Sequence, residues 1–515
     1  MTTIETAVSH RERRLSDFDA FWGTAARRAP GAPAAWAISG EGAAADALAD
    51  LLVRQGVRVD TLAETAREVA LASFAGAPAI DSLPPGTLII PADQPFSRYA
   101  AALLEPDTSL PDTSLFYDIT GWSLPFLYDL DAWRVEPMPR ASRAGWAPPA
   151  PALPGALPEG TVALAWPYEE VADVIAAGRL AAQGVQVRVS ERPFRMGDRR
   201  FPRGSFVVAS RRHPGEPAGD SADLAATVRE AGARPLALDS FRSDDGVDLG
   251  SGHMRRLRSP RIALASGPGT QPVSVGNAWQ LLGDEAALPL DVIRLGDLVP
   301  ERGADEDSLA GVERAPLDLS AYTAVVLPDA EGPTAYRAAL GPEGADRLAA
   351  WVRGGGTLIA IKAAAAWLAD STTGIGDLEL APAAPPPGDA QRRAPQAVRD
   401  VEEVRSRIPG TLLAVAVDTT AALGYGYADG RAAVLVRDPI ELELGEDGNA
   451  WVFATGSALA GYLPADARKR LPGRPYAVVR EVGKGRVVAF ADDPGFRGIM
   501  YGLKKLYLNA VLLMP

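Results

Sequence analysis

The chain has 515 residues, 47% hydrophobic and 23% charged, with a formal net charge of −13 and no cysteine. That length fits roughly two to four domains with ordinary cores, and the balance is globular rather than disordered. Lack of cysteine excludes thiolate catalysis, disulfides and sulfur-ligated metals. The acidic charge and short basic runs (Arg13-Arg14, Arg199-Arg200, Arg211-Arg212, Arg255-Arg256) argue against a nucleic-acid surface. Met1 to Arg14 lacks the apolar core of a signal peptide, and no stretch approaches the ~20 apolar residues of a membrane span, so the sequence as it stands reads as cytoplasmic. Three histidines, His10, His213 and His253, are scattered through polar contexts. None is paired on a helix face as zinc hydrolases require, so surface or structural roles are expected, with no metal site.

In chain order, residues 1–30 predict a leading helix with Leu15, Phe18, Phe21 and Trp22 on one stripe, broken by Ala29-Pro-Gly-Ala-Pro33. Ala35-Trp-Ala-Ile-Ser39 predicts a strand, Ala43 to Arg54 a helix, Gly56-Val-Arg-Val59 a cap and second strand, and Leu83 to Ile90 a turn and third strand. The same series recurs as Val162 to Trp166, Val171 to Ala182, Gly184 to Val187 and Phe201 to Val208. We read an internal duplication, a first α/β lobe over 31–136 and a second over 159–257, joined by a Pro- and Ala-rich linker over 137–158. Tyr117-Asp-Ile-Thr-Gly-Trp-Ser-Leu-Pro125 could line a ligand cleft or pack as an interdomain loop.

Residues 258–515 alternate strands and helices: Arg261 to Ala265, a helix from Val275 to Leu282 with Trp279 and Leu282 inward, Tyr322 to Pro328, a helix from Ala345 to Val352, then Thr357 to Ile361. This predicts a doubly wound, mostly parallel, flavodoxin-like sheet. Gly483 to Phe490 predicts a hairpin turn and strand, Gly502 to Leu513 a closing helix, and about 381–398 a flexible insertion. Arg353-Gly-Gly-Gly-Thr-Leu-Ile-Ala-Ile-Lys-Ala-Ala-Ala-Ala-Trp367 reads as a glycine turn, a buried strand and a helix start. It resembles the elbow on which class I glutamine amidotransferase-like folds place a catalytic cysteine, with Lys362 or Ala363 in that place.

Several segments together resemble the non-catalytic C-terminal half of large bacterial zinc carboxypeptidases, which are carboxypeptidase A-like metallopeptidases. These are Pro85 to Pro95, Ala102 to Pro106, Tyr117 to Pro125, Ser274 to Trp279, Trp351 to Ile359 and Asp493-Pro-Gly-Phe-Arg-Gly498. The family binds zinc through a His-x-x-Glu pair, a later His and a Glu base, and no His-x-x-Glu occurs here. The resemblance therefore implies relationship without peptidase activity, and an export signal in a longer form would make the protein periplasmic or secreted.

The function expected is a non-catalytic accessory or ligand-binding module, without cofactor, whose partners are a metallopeptidase catalytic domain and a peptide or glycan. Candidate ligand-binding residues at strand carboxyl ends are Ser266, Gly267, Gly269, Asp329, Lys362 and Asp492. Each also has a plainer role, as a turn, a cap or a solvated charge. Adjacent Asp492 and Asp493 would need a bend to form a paired-carboxylate site. Two alternatives stay open: a hydrolase using Lys362 as a base in a rebuilt elbow, and a self-associating scaffold.

Overall fold

Apolar runs of four or five residues, too short for buried helices, form central strands in each of the three larger sheets. The computed structural model describes residues 2–25, 28, 31–40, 42–106, 118–149, 157–209, 221–299, 316–382 and 389–515. Tyr117, Arg211, Arg212, His213 and parts of the expected linker and insertion lie outside them. The chain divides into two units, one of Met1–Ser109, Gly121–Pro151 and Leu459–Gly461, the other of Leu110–Thr120, Ala152–Ala458 and Tyr462–Pro515. Among the described residues no helix is long and apolar enough to cross a membrane.

The first unit opens with helices Thr2–Ser9 and Arg11–Ala25. Leu15, Phe18 and Phe21 of the expected stripe are exposed, while Trp22 packs edge-on against Phe96. Its six strands are β1 (Ala35–Ile38), β2 (Asp60–Leu62), β3 (Ala70–Ser73), β4 (Leu88–Pro91), β5 (Ala132–Glu136) and β6 (Arg143–Gly145). They lie in the order β3-β5-β1-β4-β2-β6, each pair antiparallel. Alternation along central β1 sends Ala35 and Ala37 into a cluster with Ile89, Trp133 and Val135.

The second unit contains the other lobe: β7 (Ala163–Trp166), β8 (Val187–Ser190), β9 (Phe194–Met196), β10 (Arg199–Phe201), β11 (Phe206–Ala209), β12 (Leu236–Leu238), β13 (Asp245–Gly246) and β14 (Met254–Arg256). Its main sheet runs β12-β7-β11-β8-β14, again antiparallel, with β10-β9-β13 as a small side sheet. Position for position this is the order β5-β1-β4-β2-β6 of the first lobe. The turns before β4 and β11 match in detail. Gly86 and Gly204 are both left-handed, at φ 86° and 88°. The hydroxyls of Thr87 and Ser205 donate to the carbonyls of Pro84 and Pro202 at 2.7 and 2.6 Å. One device, a left-handed glycine followed by a hydroxyl that closes the turn, is thus used twice.

A nine-stranded sheet completes the second unit. Its strands are β15 (Ile262–Ser266), β16 (Leu290–Arg294), β17 (Ala324–Leu327), β18 (Thr357–Ile361), β19 (Thr411–Val417), β20 (Arg431–Val436), β21 (Trp451–Ala460), β22 (Pro475–Val482) and β23 (Gly485–Phe490), in the order β16-β15-β17-β18-β23-β22-β21-β19-β20. The first five pair in parallel. Numbered within themselves they run 2-1-3-4-5, the flavodoxin-like order. Central β17 and β18 are buried along their whole length, as a sheet covered on both faces requires. β22 then pairs antiparallel to β23 and extends the sheet beyond the parallel part.

Three local expectations are corrected. Trp279 is 51% exposed, because helix Pro272–Trp279 passes into a π-helical turn, Gln280–Glu285, that rotates the residues after it while Leu282 stays buried. The expected second strands of the two lobes begin three and two residues later, at Asp60 and Val187, because the glycine caps occupy the preceding turns. Within the expected insertion, Asp389–Arg392 and the start of Gln396–Ser406 are helical.

Helix Val171–Ala182 carries a titratable weak point. Asp173 sits at its third position and accepts the backbone N–H groups of Glu169 and Glu170 at 3.0 and 2.7 Å, closing a capping box. Burial disfavours its charge and pushes its pKa up to about 7. The folded state therefore holds the proton more tightly than the unfolded chain, whose aspartates titrate near about 3.9. This contribution is complete below about pH 4 and is lost as pH rises through about 7. We expect wild-type stability in urea to fall relative to Asp173→Asn across that window, by up to about 1.4 kcal/mol per pH unit. A constant difference between the two proteins would refute the assignment.

Candidate functional site

The carboxyl ends of β17, β18 and β23 converge on one group of side chains. Asp329 follows β17 after a proline, and its Oδ1 accepts the N–H of Ala330 at 2.8 Å and of Ala363 at 3.2 Å. Its own N–H donates to Ser274 Oγ at 3.0 Å. Lys362 follows β18 at φ 47° and ψ −99°, because its N–H still donates to the Phe490 carbonyl beside the β18–β23 ladder while the chain already turns into helix Ala363–Leu368. A non-glycine residue held there stores about 1–3 kcal/mol of strain. The bend expected from the glycine turn and strand is present, with Lys362 at its apex.

The Lys362 ammonium donates to Asp492 Oδ1 at 3.2 Å and to the carbonyl of Arg437. Asp492 follows β23 and is buried. Its carboxylate also accepts the N–H of Arg437 and, at 2.9 Å, of Asp493. Burial raises its pKa, against the opposing pull of Lys362. Asp493 turns elsewhere, accepting from Gly495 N–H at 2.8 Å and Asn277 Nδ2 at 3.2 Å. Burial pushes its pKa up to about 6. Bonded to different partners, the two carboxylates do not form a shared proton site.

Above this floor lies a cleft of about 650 Å³. Its cations are Lys362, Arg407, Arg437 and Arg497, and its carboxylates are Asp118, Asp329, Glu331 and Asp438. Arg407 Nε meets Asp438 at 2.9 Å and Arg497 meets Asp118 at 3.0 Å. The Arg497 hydrogen bond, with the N–H of Ile119 next, holds the Asp118 carboxyl below its ordinary range. A larger hollow of about 780 Å³ lies near the amino ends of the same parallel strands, around Trp351, Gly355 and Arg486. Open α/β sheets bind ligands at the carboxyl ends, so the smaller, more polar cleft is the candidate.

Of the residues singled out in the sequence, Asp329 and Lys362 line the cleft and Asp492 lies behind Lys362. Ser266, Gly267 and Gly269 are not among its lining residues. Ser266 Oγ donates to the Ile293 carbonyl at 3.3 Å. The Gly-Pro-Gly turn closes on itself, with Thr270 Oγ1 donating to the Gly267 carbonyl at 2.7 Å and accepting the Gly267 N–H at 3.2 Å. Within Tyr117 to Pro125, Asp118 reaches the cleft, whereas the Thr120 hydroxyl donates to the Gly410 carbonyl at 3.0 Å. Sequence reasoning missed Arg407, Arg437 and Asp438. They follow a helix and an edge strand with no local motif, and only long-range pairing brings them here.

No protein-family model matches the sequence, and no curated protein matches it either. Solved structures resemble it in part. A cytoplasmic protein from Salmonella typhimurium aligns at 12% identity over 49% of this chain and 97% of its own, with a TM-score of 0.29. A ThuA-like protein from Parabacteroides merdae aligns at 14% over 49% and 88%, TM-score 0.26. An exo-β-1,4-mannosidase from Opitutaceae bacterium strain TAV5 aligns at 13% over 49% of this chain but 36% of its own, TM-score 0.26. Likeness at this level leaves the site to be read from its own geometry.

Replacing Lys362 by Met would leave Asp492 buried without a counter-charge. We expect a stability loss of about 1–3 kcal/mol at neutral pH, measured by urea unfolding. The deficit should shrink as pH falls and Asp492 takes up a proton, and Lys362→Met with Asp492→Asn should recover part of it. An additive double mutant would show that the two groups are not coupled.

Proposed function

We propose that this chain is a non-catalytic ligand-binding module, related to the non-catalytic half of zinc carboxypeptidases and acting beside a metallopeptidase catalytic domain. One observation carries the reading: the groups that a reactive elbow would use are already bonded. The apex side chain donates to Asp492 and to the Arg437 carbonyl, and the following N–H, of Ala363, donates to Asp329. A nucleophile or base needs an available lone pair, and an oxyanion hole needs unoccupied donors. Neither condition is met at Lys362.

The second reading, a hydrolase using Lys362, draws support from its mostly buried ammonium, the carboxylate 3.2 Å away and the adjoining cleft. Assays of the purified chain on peptide, ester and glycoside substrates, with and without added zinc, separate the two. The module reading expects no turnover above that of Lys362→Met. Turnover that disappears in Lys362→Met would establish the hydrolase.

A further inference from the structure

Within the cleft, Arg437 is held in place, and its charge acts on Asp118 without an ion pair to it. Its N–H is bonded to Asp492 and its carbonyl accepts the Lys362 ammonium. Its guanidinium lies over the Phe496 ring, 4.3 Å from the centroid, and Arg497 flanks the same ring at 5.0 Å. The other three cations of the cleft are paired: Lys362 with Asp492, Arg407 with Asp438, and Arg497 with Asp118. Among the described residues the Arg437 guanidinium makes no hydrogen bond and no ion pair.

A planar donor fork pinned by its backbone and by a ring matches a planar acceptor, which a carboxylate supplies through two parallel hydrogen bonds. The balance of charge limits the ligand further. Three of the four cations are paired, Lys362 with Asp492 outside the lining, and Asp329 and Glu331 have no cation partner among the described residues, so a ligand with more than one negative charge is disfavoured. A dianion would also meet Glu331, whose carboxylate has no partner among the described residues. We propose that Arg437 is the anchor of a binding site for one carboxylate, carried by a small organic acid or by the C-terminus of a peptide. This rests on the ligand-binding reading above and names the ligand class.

The test is calorimetric titration of the full chain with five probes: Gly-Gly-Phe, its C-terminal amide, glucuronate, glucose and inorganic phosphate. A free carboxylate should bind while its neutral counterpart does not. Binding by Gly-Gly-Phe alone identifies a peptide terminus as the source, and binding by glucuronate alone a small acid. Arg437→Lys keeps the charge and removes the fork, and should weaken binding at least about tenfold. An unchanged melting temperature in that variant, and a smaller effect of Arg407→Lys, would show that folding and general charge are not responsible. Equal binding of acid and amide, preference for phosphate, an unaffected Arg437→Lys variant, or no binding by either carboxylate would each overturn the anchor. Glucose or amide binding at the cleft would overturn the anchor and leave the module reading standing. Turnover of a bound probe would do the reverse, provided that Arg437→Lys still weakens binding.

Discussion

The ammonium of Lys362 and the carboxylate of Asp492 hold together parts of the second unit that the sequence keeps far apart. Lys362 leaves β18, Asp492 leaves β23, and Arg437, bonded to both, leaves β20 at the far edge of the sheet. A buried carboxylate is tolerated when it is paired and hydrogen-bonded, and Asp492 receives one charge and two backbone donors. The left-handed backbone at Lys362 is over-determined by the same bonds, since its N–H, its side chain and the N–H after it are each engaged. The floor of the cleft is therefore rigid.

The walls are built differently. The Arg407–Asp438 and Arg497–Asp118 pairs are largely solvent-exposed, and such pairs contribute about 0–1 kcal/mol each. Opening them would cost little in stability. The cleft combines a buried, multiply bonded base with solvent-exposed ion pairs at its sides.

Much of the fold is legible in the sequence because its signals are local. The runs at β15, β17 and β18 are apolar throughout, as strands buried on both faces must be, and the repeated strand, helix and glycine-turn series announces the two lobes. The site is legible only where it coincides with a strand end. Asp329, Lys362 and Asp492 are found that way, while Arg437 looks in sequence like any arginine after an edge strand. Ser266 to Gly269 carry a glycine signal at a strand carboxyl end, but a threonine one residue on fills the turn from within. Asp492 and Asp493 sit together in sequence and bond to different partners. Trp279 was expected inside on helical spacing, and the π-helical turn that follows breaks that spacing.

The placement of β23 has a consequence for how the molecule is made. It pairs with β18 through Thr357↔Arg486 to Ile361↔Phe490, with everything from Lys362 to Lys484 synthesised between the two. Until β23 arrives, a nascent chain presents β18 as an open, apolar edge, the kind of surface on which chains stick to one another. Closing so long a loop is slow relative to local pairing. β23 thus completes the parallel part of the sheet only after a long stretch of chain, and until then the β18 edge is open to association between chains.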